Sequence, residues 1–294
     1  MTKTIGIIGT GDMGSAVGAA LGRSGYRVVT DLTGRSAASR ALAARAGVED
    51  LGSLATALDA ADLFLSIVPP AAAVELARRV RAALGETRKR PVFVDCNAVA
   101  PATLRSIAAL FAGAGVTVAD VGIIGPAPRQ GAAPTRFYVS GEGRARLLAL
   151  EIPELAVIDM GPEVGRASAI KMTYAAMNKG TDALYTAVLM AAEELGVRAE
   201  LMAEFHESQT QAAERMAARI PYLAATAARF TGEMREIAAT FAAAGVTPEF
   251  HRGAEWVYAT LARTPLAAET RATLPKHRSL DEALAVFRTA LPKQ

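Results

Sequence analysis

A chain of 294 residues, 51% of them hydrophobic, is long enough to bury a sizeable core and points to two domains. Its 32 Lys and Arg against 29 Asp and Glu leave a net charge of +3, and with aromatics at 5% the one basic cluster, Arg88-Lys89-Arg90, reads as a solvated loop with no nucleic-acid partner implied. A single cysteine, Cys96, excludes an intramolecular disulfide and a thiolate cluster, while His206, His251 and His277 lack metal-ligand spacing, so no metal site is expected.

The chain enters an apolar strand, Ile5 to Ile8, directly after Met1-Thr2-Lys3-Thr4, which leaves no room for a signal peptide. The longest apolar helical stretch, Ala183 to Ala192, is too short for a membrane span. A soluble, cytoplasmic protein with no membrane partner is expected.

The first strand runs into Gly9-Thr10-Gly11-Asp12-Met13-Gly14 and then a small-residue helix, Ser15 to Ser24, followed by a second strand, Tyr26 to Leu32. Strand, glycine turn and helix in that order form a cradle for a dinucleotide pyrophosphate. The first glycine permits the turn, the second lets the backbone approach the phosphates, the third lets the helix sit close, and the helix N-terminus offers amides and a positive dipole end. Gly9, Thr10, Gly11, Asp12, Met13 and Gly14 are therefore cofactor-binding candidates. The end of the second strand carries two conflicting signals for the cofactor's ribose: Asp31, 22 residues after Gly9, suits NAD, whereas Gly34-Arg35-Ser36 suits the 2′-phosphate of NADP. NADP is favoured over NAD, because Arg35 and Ser36 open the next helix, where phosphate meets a guanidinium and N-terminal amides.

Further apolar runs at Leu63 to Val68, Val92 to Cys96, Val116 to Val121, Arg136 to Ser140 and Ala156 to Asp159 alternate with helical segments. Their near-continuous hydrophobicity suits parallel strands buried on both faces, so residues 1–165 are expected to form a doubly wound parallel Rossmann sheet. Beyond Gly161-Pro162-Glu163-Val164-Gly165 the period changes to that of helices: Ala167 to Leu195, Arg198 to Ala218, Tyr222 to Ala244, Glu249 to Ala262 and Ser279 to Ala290. Gly180, Gly196 and Gly245 mark helix stops, and Ser279-Leu280-Asp281-Glu282 offers a capping box, so residues 166–294 are expected to form an all-helical substrate and dimerisation domain. The first helix of that half is apolar around most of its circumference, which points to burial between neighbours and to a homodimer.

Lys171 sits in small, apolar company near the junction of the two halves. A desolvated amine is pushed toward its neutral form and becomes usable as a general base. Tyr174 and Asn178 fall within roughly 60° of Lys171 on the helical face, whereas Lys179 is displaced by about 80°. These residues alone leave open an amine that snorkels to solvent.

Several linked motifs then bear on the choice. Gly9-x-Gly11-x-Met13-Gly14 with Ala16 and Gly25, the strand ending Ser66-Ile67-Val68-Pro69, Asp95-x-Asn97-x-x-x-Pro101, and Gly161-x-x-x-Gly165 with Lys171 six residues on together resemble the β-hydroxyacid dehydrogenase family, whose relatives include 3-hydroxyisobutyrate and 6-phosphogluconate dehydrogenases. The resemblance spans the first 180 residues and implies Lys171 as the catalytic lysine, Val68, Pro69 and Asn97 beside the cofactor, and Asn97, Gly122 and Ile123 near substrate, while Tyr174 and Asn178 are expected there from their place on the helical face of Lys171. In the helical half, Phe230 to Ala238 and Lys179-Gly180 are similar to a less characterised branch with a phosphogluconate-dehydrogenase-like C-terminal domain.

The departures are informative. Gly122-Ile123-Ile124-Gly125-Pro126 stands where the family's substrate loop usually reads Pro-Val-Ser-Gly-Gly, which removes a serine hydroxyl; Ala167 replaces a glycine; Tyr174 and Ala175 replace an asparagine or histidine. The implied activity is hydride transfer between NADP or NAD and the secondary alcohol of a small hydroxyacid or sugar acid. Where the ketone lies β to a carboxylate, decarboxylation could follow, with the Lys171 ammonium stabilising the enolate. The alternatives are an imine or ketone reductase on the same scaffold, against which Lys171 weighs, and a non-catalytic dinucleotide sensor. His206 and His251 read as structural or surface residues, Trp256 as core or dimer packing, and Cys96 as a small buried hydrophobe.

Overall fold

The computed structural model describes residues 3–270 and 273–292; Met1 and Thr2, read above as too short for a leader, lie outside them. The chain divides into two compact units, residues 1–172 and 173–294.

In the first unit β1 (Thr4–Ile8), β2 (Arg27–Thr30), β3 (Glu49–Asp50), β4 (Leu63–Ser66), β5 (Val92–Asp95), β6 (Val118–Ile124), β7 (Thr135–Ser140) and β8 (Leu155–Asp159) form one sheet. Its order is β3-β2-β1-β4-β5-β6-β7-β8, the doubly wound arrangement that reverses direction between β1 and β4. The helices α1 (Asp12–Arg23), α2 (Ala37–Arg45), α3 (Leu54–Ala60), α4 (Pro70–Ala83), α5 (Pro101–Leu110) and α6 (Arg144–Leu148) fill the connections.

Continuous apolar runs serve both faces at once. Leu63, Leu65 and Val94 join a core with Ile5, Ile7, Val17, Leu21, Val121 and Phe137, while Phe64 and Phe93, one position over, join a second with Leu76, Leu104, Ile107 and Phe111. Phe93 and Phe111 stack at 4.6 Å between ring centroids. Each such fully buried side chain contributes about 1.5–3 kcal/mol. The Phe64 ring occupies the space a side chain at Gly6 would need, since a Cβ there would lie 2.4 Å from Phe64 Cδ2.

Two features depart from the expected sheet. β6 and β7 pair antiparallel, not parallel, because the Pro- and Gly-rich connection 125–134 is too short for a crossover helix. β3 adds a two-residue edge strand without apolar residues, and its Glu49 is bridged by Arg27 through two hydrogen bonds of 2.8 Å. A short, charged edge is a poor template for further strands.

α7 (Arg166–Glu194) begins in the first unit and continues into the second. It runs straight through Gly180, so that glycine is not a helix stop; a Cβ there would lie 3.8 Å from the His251 ring. The expected helix over 198–218 is two, α8 (Arg198–Ser208) and α9 (Thr210–Arg219), broken at Gln209. Ser208 and Thr210 turn their hydroxyls back onto the carbonyls of Glu204 and His206, at 2.9 and 3.0 Å, and such bonds compete with the helical ladder.

α10 (Ala224–Ala243) and α11 (Glu249–Leu261) follow, with Gly245 at φ 73° ending the first of them. Phe230 meets Tyr258 edge-on at 5.3 Å, and the buried Tyr258 hydroxyl donates to Lys179 O at 2.8 Å. Burial raises that phenol's pKa above its ordinary value. α12 (Leu280–Arg288) carries the expected capping box, Ser279 with Glu282. Among the described residues no helix is long and apolar enough to cross a membrane.

Candidate active site

The loop from β1 to α1 is shaped by two glycines that the protein itself demands and one that it does not. A Cβ at Gly9, where φ is 102°, would lie 2.1 Å from Ile67 O, and one at Gly14 would lie 2.0 Å from Gly9 O. Gly11 has nothing within 4 Å of its Cβ direction and caps α1 without a side-chain hydrogen bond. Protein packing explains Gly9 and Gly14; the open space at Gly11, over the uncapped amides of α1, fits the close approach of a dinucleotide pyrophosphate. Thr10 ties the loop down by donating to Ser39 O at 3.1 Å, and the Ser15 hydroxyl donates to Gly11 O at 2.7 Å. Asp12 and Met13 occupy the first turn, with Asp12 exposed.

Beyond β2 the two cofactor signals share one turn. Asp31 is buried and accepts from Thr33 N at 2.9 Å. Gly34 follows at φ 71°, then Arg35, exposed, and Ser36, which caps α2 by accepting from Ser39 N at 3.2 Å. Arg40, by contrast, is held by the protein, donating to Leu32 O at 2.6 Å.

The ends of β4 and β5 are locked to each other through Asn97. Its side-chain nitrogen donates to Ser66 Oγ and Asp95 Oδ2, both at 2.8 Å, and its oxygen accepts from Val68 N at 2.7 Å. Both amide protons of a residue expected beside cofactor and substrate are thus spent inside the protein, and Asn97 holds the Val68-Pro69 turn in place. Asp95 also accepts from Asn97 N at 2.9 Å. Burial pushes the Asp95 carboxyl up to about 7, with the neighbouring Asp120 charge adding to the rise and the Asn97 hydrogen bonds opposing it. Cys96, between them, is buried, and desolvation raises its thiol; it is an inert apolar filler.

Lys171 stands on α7 above β6. The residue is half-buried and its amine donates to Ile123 O at 2.6 Å, so it turns back onto the strand. Gly122 makes this approach possible, since a Cβ there would lie 2.4 Å from Ala167 O and 3.1 Å from Lys171 Cβ. Gly122 and Ile123, aligned above with a substrate loop, are buried positions of β6, and that strand extends to Ile124. The loop begins only at Gly125. Tyr174 and Asn178 lie further along α7; Tyr174 is 47% exposed, and the Asn178 amide donates back to Tyr174 O at 3.1 Å.

The four sequence motifs touch in series. The first meets the second at Gly9 and Ile67, Asn97 joins the second to the third, and a Cβ at Gly165 in the fourth would lie 3.3 Å from Pro101 Cβ in the third. Sequence reasoning missed the group beneath the fourth: Asp120, Ser140 and Ser168, all buried. The signal was present, because an acid inside an otherwise apolar strand has to find partners. Elsewhere, Asp59 accepts from Arg88 N and Lys89 N, at 2.7 and 3.0 Å, which anchors the basic loop; Trp256 is 48% exposed and lies outside the core.

Residues 4–152 match the family model described as the NAD binding domain of 6-phosphogluconate dehydrogenase, and residues 192–261 match a domain of unknown function. The chain is 30% identical over 146 residues to a 3-hydroxyisobutyrate dehydrogenase of Pseudomonas aeruginosa, 48% of each chain. A conserved hypothetical protein of Sinorhizobium meliloti 1021 shares 28% identity at a TM-score of 0.64, covering 99% of this chain and 97% of the other. The Mycobacterium tuberculosis 3-hydroxyisobutyrate dehydrogenase, solved with L-serine, shares the fold at 22% identity and a TM-score of 0.67, covering 98% and 99%. A Streptomyces aurantiacus imine reductase shares it at 21% identity and a TM-score of 0.52, covering 96% and 99%.

Proposed function

The chain belongs to the oxidoreductase family built on the NAD-binding domain of 6-phosphogluconate dehydrogenase, and from that premise we propose that it interconverts the secondary alcohol of a small hydroxyacid or sugar acid with the ketone, using Lys171 as general acid and base. When bound, the nicotinamide dinucleotide takes up or delivers the hydride. Lys171 Nζ removes the hydroxyl proton as the alcohol is oxidised and returns it in the reverse direction. The observation that carries this reading is the inward turn of the amine, 2.6 Å from Ile123 O, in a half-buried position. A snorkelling lysine would direct its nitrogen to water. Tyr174 and Asn178, three and seven residues on along the same helix, are the proposed partners of the substrate oxygens.

NADP is the proposed cofactor, supported by the exposed Arg35 guanidinium one residue before the Ser36 cap of α2. A homodimer, in the cytoplasm, is proposed as the working state. The exposed apolar row on α7, with Met177 at 72% and Leu184 at 60%, supports it.

The test is Lys171→Ala assayed with NADP on a panel of hydroxyacids and aldonates. Turnover is expected to fall by about 10²–10⁴ while dinucleotide affinity, read by fluorescence, holds. Retained turnover would overturn the role. The imine reductase reading has the shared fold in its favour, and cyclic imines in the same panel distinguish it: reduction of imines that survives Lys171→Ala assigns the chemistry elsewhere.

A further inference from the structure

The place of the Lys171 amine depends on how α7 lies against β6, and three adjoining features of β6 fix that relation. At one end Asp120 Oδ2 accepts from Gly165 N, Ser168 N and Ser140 Oγ, each at 3.0 Å, and its Oδ1 accepts from Ser168 Oγ at 2.7 Å. Ser140 Oγ in turn accepts from Ala167 N at 3.1 Å. The first amides of α7, which no preceding turn can satisfy, therefore close onto a carboxylate and a hydroxyl from the sheet, with negative charge at the positive end of a 29-residue helix. Two residues along, Gly122 removes the side chain that would hold helix and strand apart; one further, Ile123 O receives the amine.

We propose that Asp120, assisted by Ser140 and Ser168, is the positioning residue for Lys171. The carboxylate anchors the helix one turn before the lysine, and the axial and rotational setting it imposes delivers Nζ to Ile123 O. All four partners present hydrogens to Asp120, so the group works as an acceptor alone, and an asparagine would set two protons of its own against them. The catalytic meaning of this placement rests on the proposed role of Lys171; the placement itself does not. Burial raises the Asp120 carboxyl, the bonds from Ser168, Ser140 and Gly165 oppose the rise, and Asp95 is its register neighbour on β5. On the helical side the charged groups of this stretch are Arg166 and Lys171, and Arg105 Nη1 lies 3.1 Å from where a Cβ on Gly165 would stand.

The experiment reads the amine directly and requires no substrate. The full chain and Asp120→Asn are labelled with acetic anhydride across a pH series, and modification of Lys171 is followed by mass spectrometry, with Lys3 and Lys89 as internal references. In Asp120→Asn the Lys171 labelling profile is expected to move by about one pH unit, with Lys3 and Lys89 unchanged and NADPH affinity retained. Should that variant fail to fold, Ser168→Ala and Ser140→Ala, which each remove one donor, carry the test and move Lys171 in the same direction by less. A folded variant whose Lys171 profile matches the parent, or one in which all lysines shift together, overturns the proposal and leaves Asp120 as a helix cap. The Lys171→Ala assay decides separately whether the amine is catalytic, so either reading can fail while the other stands.

Discussion

Asp120 in the first unit and Asp182 in the second are both 1% exposed, yet their partners differ in kind. Among the described residues Asp120 accepts from backbone amides and hydroxyls. Asp182 accepts from two guanidiniums, Arg215 at 2.8 and 3.0 Å and Arg219 at 2.7 and 2.8 Å. A carboxylate paired with cations ties side chains together, whereas one that collects amides fixes the path of the main chain. The first arrangement consolidates a helical body; the second sets the origin of one helix, and with it whatever that helix carries.

The largest expected effect comes from breaking the ionic member of the pair. Asp182→Ala removes the buried carboxylate from two arginines whose side chains are 33% and 50% exposed, so water replaces part of the pairing and a loss of about 1.5–3 kcal/mol is expected in urea unfolding. A loss below about 1 kcal/mol, the range of an exposed pair, would remove the contrast between the two aspartates.

The next concerns the neutral-donor side, where Asp95 stands beside Asp120. With the folded carboxyl near 7 against an ordinary 3.8, Asp95 binds its proton more tightly in the native state. Its contribution is complete below about pH 4 and is lost as pH rises through 7, so stability declines in that window by at most about 1.4 kcal/mol per pH unit for the one proton. Asp120, raised in the same direction, adds to the trend. Melting temperatures from pH 4.5 to 8 should fall more steeply in the parent than in Asp95→Asn; parallel curves would place the titration elsewhere.

The smallest effect sharpens the comparison at an exposed cation, Arg35. Arg35→Ala is expected to weaken NADP binding by about tenfold, the scale of one charge-assisted hydrogen bond, and to leave NAD nearly unchanged. Equal losses for the two dinucleotides, measured by titration calorimetry, would reject the NADP preference.

Much of the first unit was legible because its constraints are backbone constraints written as residue types. Gly9 and Gly14 are required by contacts of about 2 Å with main-chain atoms, and Ile5-Gly6-Ile7-Ile8 has the continuous apolarity of a strand with neighbours on both sides. Lys171 announced itself as a charge in small, apolar company. Less legible were features set by tertiary partners. β3 has two charged residues and forms because β2 offers an edge. Gly180 resembles a stop in isolation, but in place it is a residue that packs beside His251. Asn97 in isolation resembles a ligand contact, and only the positions of Ser66, Val68 and Asp95 show that its amide is already committed. Asp95 and Asp120 could have been found, since each interrupts an apolar strand.

At Gly122 the helix that bears the lysine rests on bare main chain. The amine is thereby referenced to the peptide geometry of β6, while the proline-rich link that starts at Gly125 is stapled at its root, where Thr135 donates to Pro126 O at 2.7 Å. Length and composition can drift in that link without disturbing the seat of the helix.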